Sequence, residues 1–130
     1  MLTESEVMNN HLYLFGIHDD TQLRCWVLDC GRGWFDLIDC MLDEIEDVDI
    51  NKKVYLTQVK EKYGSLRVYF VFDDSNELFD KVNDIVGKYE ELSFIVCEEC
   101  GASKAELRNH GWYKTLCDKC DELETESQEN

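Results

Sequence analysis

Apolar residues recur along this chain at two periods, and the change from one period to the other marks its elements. At the start, Thr3-Glu4-Ser5-Glu6 has the form of a capping box, and Val7, His11, Leu12 and Phe15 continue at helical spacing. That predicts a first helix over about residues 4–15. Gly16 to Thr21 reads as a loop, and Leu23 to Leu28 as either a short strand or an extended approach to the next helix. From Gly33 to Val48 the helical period is clearest: Trp34, Ile38, Met41, Leu42, Ile45 and Val48 form one apolar stripe. Asp36, Asp39, Asp43, Glu46 and Asp47 fall on the opposite side.

The period then drops to two. Val54 to Tyr63 and Leu66 to Phe72 read as strands of a hairpin over 54–72, turning at Gly64-Ser65. A glycine at the first central position suits a type II′ turn. That turn sets Tyr63 opposite Leu66, Lys62 opposite Arg67, Lys60 opposite Tyr69 and Val59 opposite Phe70. One face then carries Tyr55, Val59, Tyr63, Leu66, Val68, Phe70 and Phe72, with Thr57 and Glu61 as polar exceptions. The other carries Gln58, Lys60, Lys62, Arg67, Tyr69 and Val71. Asp74-Ser75-Asn76-Glu77 caps a further helix over about 75–93, with Leu78, Val82, Ile85, Val86, Tyr89 and Leu92 on its buried side. The last ten residues, 121–130, form a polar, acidic tail expected to fray.

Cysteine spacing adds a metal to this picture. Cys97-x2-Cys100 and Cys117-x2-Cys120 stand sixteen residues apart, inside the range of a tetrahedral four-cysteine zinc site. Two residues between thiols let a tight knuckle aim both sulfurs at one ion, and Gly101 eases the turn. A redox C-x-x-C pair would not need the second pair, and iron–sulfur clusters use other spacings. Four thiolates close the coordination shell, so the expected Zn2+ is structural, and His110 is read as a loop residue. The module spans 97–120 and packs on an α+β domain spanning 1–96.

Charge narrows the partners. The 130 residues include 29 acids against 13 Lys and Arg, for a formal net charge of −16. Such a field disfavours nucleic acid and anionic membranes and favours basic protein surfaces. The zinc module does not reverse it, because Lys104, Arg108, Lys114 and Lys119 are matched by Glu98, Glu99, Glu106 and Asp118. The positive stretch is Lys52 to Arg67, with five bases and one acid. There Lys60, Lys62, Arg67 and Tyr69 form a candidate anion or partner site; the competing reading pairs them with the chain's own surplus acids. The row Asp36, Asp39, Asp43, Glu46 and Asp47 can imitate a line of phosphates, or be an ordinary solvated face. His18, Asp19 and Asp20, with Cys25, Cys30 or Cys40, offer catalytic residue types in no fixed geometry, so no catalytic residue is assigned. With no basic leader and no apolar run of membrane length, the expected location is the cytoplasm.

Three separated stretches carry a resemblance: Cys30-Gly31-Arg32-Gly33-Trp34-Phe35-Asp36; Gln58-Val59-Lys60-Glu61-Lys62-Tyr63-Gly64-Ser65-Leu66-Arg67-Val68-Tyr69; and Cys97-Glu98-Glu99-Cys100-Gly101 with Gly111-Trp112-Tyr113-Lys114-Thr115-Leu116-Cys117. In this order, over roughly Cys25 to Cys120, the chain resembles small bacteriophage and prophage-encoded proteins with a C-terminal zinc-knuckle pair of four Cys, or three Cys and one His. Members can carry His where this chain has Cys120, and tend to carry Gly where it has Ser65. The resemblance implies a viral accessory role, and host cytoplasm as the location, rather than a reaction.

The expectation is therefore an α+β fold, with helices on an antiparallel hairpin or small sheet and a C-terminal zinc-ribbon-like module. Its expected role is non-enzymatic: it binds and modulates or inhibits a host protein with a basic, nucleic-acid-binding surface, in its sharpest form by acidic mimicry of nucleic acid. The alternative is a nucleic-acid-binding regulator using Lys60, Lys62, Arg67 and Trp112.

Overall fold

Thr3 starts the first helix as a capping box should: its hydroxyl accepts from the Glu6 N–H, and Glu6 Oε1 accepts from the Thr3 N–H, each at 3.1 Å. The computed structural model describes residues 1–16, 24–72 and 76–129. The expectations for His18, Asp19, Asp20 and the Asp74-Ser75 cap lie outside them. Helix α1 covers Glu4–Asn10 and ends earlier than the apolar spacing predicts, because His11 leaves helical dihedrals and turns its ring inward. Leu14 and Phe15 are still buried, but from a sequence of turns.

A two-residue strand, β1 (Leu28–Asp29), leads through a 3-10 turn at Arg32–Trp34 into α2, Phe35–Val48. Phe35, Ile38, Met41, Leu42 and Ile45 form its buried side, as the stripe predicts. Asp49 ends the helix and joins it to the sheet. This buried carboxylate accepts from the Lys53 N–H at 2.8 Å and the Val54 N–H at 2.9 Å, holding the first turn of β2.

Strands β2 (Val54–Lys62) and β3 (Ser65–Phe72) pair antiparallel, and β1 pairs parallel with β2, giving the order β1-β2-β3. The turn differs from the expected type II′. Its two central residues are Tyr63 and Gly64, with φ of +54° and +83°, the type I′ pattern that matches strand twist. Glu61 Oε2 accepts from the Gly64 N–H at 3.0 Å and steadies it. Lys62 therefore pairs with Ser65, Lys60 with Arg67 and Val59 with Val68, not with Arg67, Tyr69 and Phe70. This moves the pairing by two residues, which leaves each side chain on its expected face through this part of the ladder. Nearer the start of β2, an irregularity between Leu56 and Gln58 reverses the alternation. Val54 and Leu56 thereby join Val59 in the core, while Tyr63, placed on the apolar face by pattern, is 65% exposed.

Helix α3 (Asn76–Leu92) closes the inner side: Val82, Val86 and Tyr89 share one core with the sheet and α2. It also covers the free edge of β3. Ser93 Oγ accepts from the Leu66 N–H at 2.9 Å and Glu90 Oε2 from the Val68 N–H at 3.0 Å. A second, two-stranded sheet, β4 (Glu106–Asn109) and β5 (Tyr113–Leu116), belongs to the cysteine module. The tail expected to fray is helix α4, Asp118–Glu129, continuing straight from the second knuckle. Its early acids suit the positive end of the helix, and Asp118, Asp121 and Glu124 meet Arg108, His110 and Lys114 of the β4–β5 hairpin. Among the described residues no helix is long and apolar enough to cross a membrane.

Candidate metal centre and binding surfaces

The first knuckle closes by two backbone hydrogen bonds, Gly101 N–H to Cys97 O at 2.9 Å and Cys97 N–H to Ala102 O at 2.8 Å. Gly101 sits at φ +81°, where a side chain would be strained. The second knuckle becomes the first turn of α4, with the Asp121 N–H donating to Cys117 O at 2.9 Å. Sulfur atoms of Cys97, Cys100, Cys117 and Cys120 all lie within 4.8 Å of one another. Cys100 and Cys117 sulfurs are 3.7 Å apart. A tetrahedron of sulfurs about 2.3 Å from a central ion has edges of about 3.8 Å, whereas a disulfide would need about 2.05 Å. The four side chains thus fit a metal ion and not a cross-link. The Cys120 backbone N–H holds the Cys117 thiol down to about 7, while burial and the neighbouring sulfurs raise that of Cys120.

This centre is built into the rest of the protein. The Gly33 N–H donates to Glu98 O at 2.8 Å, the Gly31 N–H to Glu98 Oε2 at 2.9 Å, and Trp34 Nε1 to Val96 O at 2.8 Å. From the other side, the Glu98 N–H donates to Thr115 O at 3.0 Å and Thr115 Oγ1 to Gly64 O at 2.6 Å. A Cβ on Gly33 would lie 2.6 Å from Glu98 C and O and closer still to Cys97 O; on Gly31 it would lie 2.8 Å from Glu98 Cγ. The three motifs that suggested a family therefore meet in space. The Gly31/Gly33 stretch and the Gly64 turn are the two surfaces on which the first knuckle and β5 are seated.

The acidic row of α2 is not the free line of five carboxylates its periodicity suggests. Asp36 Oδ1 accepts from the Leu2 N–H at 2.8 Å, and Asp39 Oδ1 accepts from Asn10 Nδ2 at 3.2 Å. Buried His11 places Nε2 2.8 Å from Asp39 Oδ1 and 3.6 Å from Asp43 Oδ1, and Nδ1 against Glu46 Oε1. Asp36, Asp39 and Glu46 thus tie the N-terminal segment to α2; Asp43, also within reach of His11, keeps its side chain 67% exposed, and Asp47 faces solvent. Sequence reasoning took His11 as one more position on a helical stripe. A polar ring among apolar neighbours, on a chain with an acidic helix, was the signal available.

The cations of the basic hairpin stand apart from the acids among the described residues. Among the described residues Lys60, Lys62 and Arg67 make no ion pair; Arg67 Nε donates to Ser65 Oγ at 3.1 Å and Lys62 lies 5.6 Å from the Tyr63 ring centre. None of the acids among the described residues neutralises them. Lys60 and Lys62 line an open groove of about 840 Å³ together with Trp112, which the β4–β5 turn brings across. Arg67 and Tyr69 stand on the adjoining outer face of the sheet and do not line it.

The three cysteines outside the module are held protonated. Burial pushes the Cys25 thiol up, and burial together with Glu98 pushes Cys30 up to about 12. Cys40 is exposed on α2 yet also raised, by partial desolvation and then by Asp39 and Asp43. His110 pairs with Asp121 at 2.7 Å, apart from the four sulfurs. Comparison with protein-family models, with curated proteins and with solved structures returned no match.

Proposed function

We propose that this chain is a non-enzymatic interaction protein whose C-terminal module is closed by a structural Zn2+ on Cys97, Cys100, Cys117 and Cys120. The observation that carries the reading is the closed shell of four sulfurs at the seam between the module and the α+β domain. An ion there fixes shape and leaves no open coordination position for substrate. The protonated state of Cys25, Cys30 and Cys40 supports the same reading, since none is prepared as a nucleophile.

In its finer form, the protein is a phage accessory factor in the host cytoplasm that meets a host protein with a basic, nucleic-acid-handling surface. The net charge of −16 supports that choice of partner, with Asp43, Asp47 and the exposed Glu122 of α4 as the contact groups in place of the full α2 row. Metal analysis of purified protein should give one zinc per chain, and Cys97→Ser should release it and unfold the module. Affinity capture from host lysate should recover a basic protein that competitor DNA displaces. A metal-free yet fully folded sample, or turnover of a small substrate, refutes the reading.

A second reading, a nucleic-acid-binding regulator, draws on Lys60 and Lys62 beside Trp112 and on Arg67 of the adjoining sheet face, which make no ion pair among the described residues. Tight, salt-sensitive mobility shifts with DNA or RNA would select it.

A further inference from the structure

We infer that the outer face of the three-stranded sheet, together with the groove that continues from it beneath the β4–β5 hairpin, is a second docking surface, and that it takes an acidic protein segment bearing aromatic or aliphatic side chains. This surface lies across the core from the acidic side of α2 and does not depend on which partner, if any, that side meets.

Charge gives the first argument. Lys60 stands directly opposite Arg67 in the ladder, with Lys62 two residues along the same face. Like charges so placed repel. A chain with 29 acids nevertheless leaves all three without an ion pair among the described residues. Carboxylates from outside would relieve the repulsion. Apolar exposure gives the second. Tyr69 and Val71 on the outer face of β3 are 45% and 46% exposed, and Val27, preceding β1, is 55% exposed. Trp112 adds exposed apolar area on the groove wall, so apolar side chains and cations occur together on the face and in the groove, the composition of a contact patch rather than of a solvated sheet face.

The groove chooses between two polyanions. Asp29, Glu61 and Glu98 line it among the lysines. Glu98 is 4% exposed, and its Oε1 has no hydrogen-bond partner, although Oε2 is held by Gly31. A buried acceptor of this kind calls for an N–H or O–H donor. A phosphodiester strand presents negative oxygens at every step and would meet these three carboxylates. A polypeptide offers carboxylates to Lys60, Lys62 and Arg67 and amide N–H groups to the acids between them.

The test uses the zinc-loaded full chain. A random peptide display library is panned against it, and the enriched peptides are synthesised and titrated by fluorescence anisotropy. Enriched sequences should combine Asp or Glu with Trp, Phe, Tyr or Leu. Affinity should fall by about tenfold or more in the Lys60→Glu/Arg67→Glu double variant, because reversing cations at a charge-matched contact turns attraction into repulsion. Tyr69→Ala should weaken binding while leaving its salt dependence unchanged. Lys81→Gln, on the solvent side of α3, should leave the affinity as it is. Circular dichroism and zinc content establish that each variant folds, and if the charge-reversed protein does not, Tyr69→Ala and Val71→Ser carry the comparison. No enrichment, enrichment of basic peptides, or affinity unmoved by these sheet-face changes overturns the inference. So does a labelled oligothymidylate that binds more tightly than the best peptide. Failure of the proposed function shows separately, as folding without metal or as turnover, and neither measurement involves a peptide.

Discussion

Adding one methyl group at Gly33 tests how the metal module is seated. In Gly33→Ala the new Cβ meets Glu98 C and O at 2.6 Å and Cys97 O more closely, all backbone atoms that no rotamer change can move. These separations are well inside ordinary packed contact. The segment through Cys97 and Glu98 must withdraw, and three hydrogen bonds go with it: Gly33 N–H to Glu98 O, Gly31 N–H to Glu98 Oε2, and Trp34 Nε1 to Val96 O. At about 1 kcal/mol net for each, the loss is about 3 kcal/mol. For a domain of this size that lowers Tm by about 10 °C. Thermal unfolding with saturating zinc reads the loss, and competition with a chromophoric chelator should show faster zinc release, because Cys97 belongs to the displaced segment. Gly87→Ala is the control. Gly87 lies on the exposed side of α3 with nothing within 4 Å of an added Cβ, so alanine there should stabilise by up to about 1 kcal/mol through helix propensity. If Gly33→Ala melts with the wild type and keeps its zinc, the seam is not built as described.

Other consequences are equally direct. Asp49→Asn exchanges one acceptor for a donor where both oxygens receive backbone N–H groups, so stability should fall by about 1–3 kcal/mol in urea unfolding. Stripping the metal with a chelator should bring amide exchange in β4, β5 and the first turn of α4 close to unprotected rates, while Ile38, Leu42 and Val86 in the main core keep theirs. Cys30 adds a pH dependence. Its folded-state thiol is raised from 9.0 to about 12, so the folded protein holds this proton more tightly than the unfolded chain. The stability this contributes is whole below about pH 9 and is lost as pH rises from there toward about 12. Urea titrations at pH 8 and pH 11 should show a smaller drop for Cys30→Ala than for the wild type, and equal drops would refute the assignment.

Features fixed by local chemistry were legible in the sequence. The cysteine knuckles follow from what two thiols on one metal require, and the α2 stripe from 3.6-residue periodicity. Gly64 announced a turn, but a bulky Tyr63 in the left-handed region did not, and so the turn and its pairing were misplaced, while the faces stayed as expected only from Gln58 to Lys62 and along β3. The irregularity near Thr57 had no sequence mark, because a strand's alternation can reverse without any change of residue type. Gly31 and Gly33 were visible as a motif, yet their reason was not, since the backbone that crowds them lies at Cys97 and Glu98. His11 and Asp49 were missed for a related reason. Each is one polar residue whose partners come from another element or the far side of a turn, and periodicity is blind to such pairs. The acids after Cys120 suggested disorder when counted alone; set against Arg108, His110 and Lys114 they anchor a helix.

Strand β3 lies at the rim of its sheet, and two of its outward amides are taken by Ser93 and Glu90. The opposite rim, β1, is two residues long. A chain without a single proline cannot use that residue to discourage stacking between molecules. Here helix side chains and brevity serve instead, so these two rims of the three-stranded sheet offer a neighbouring copy little ladder from which a fibril could grow.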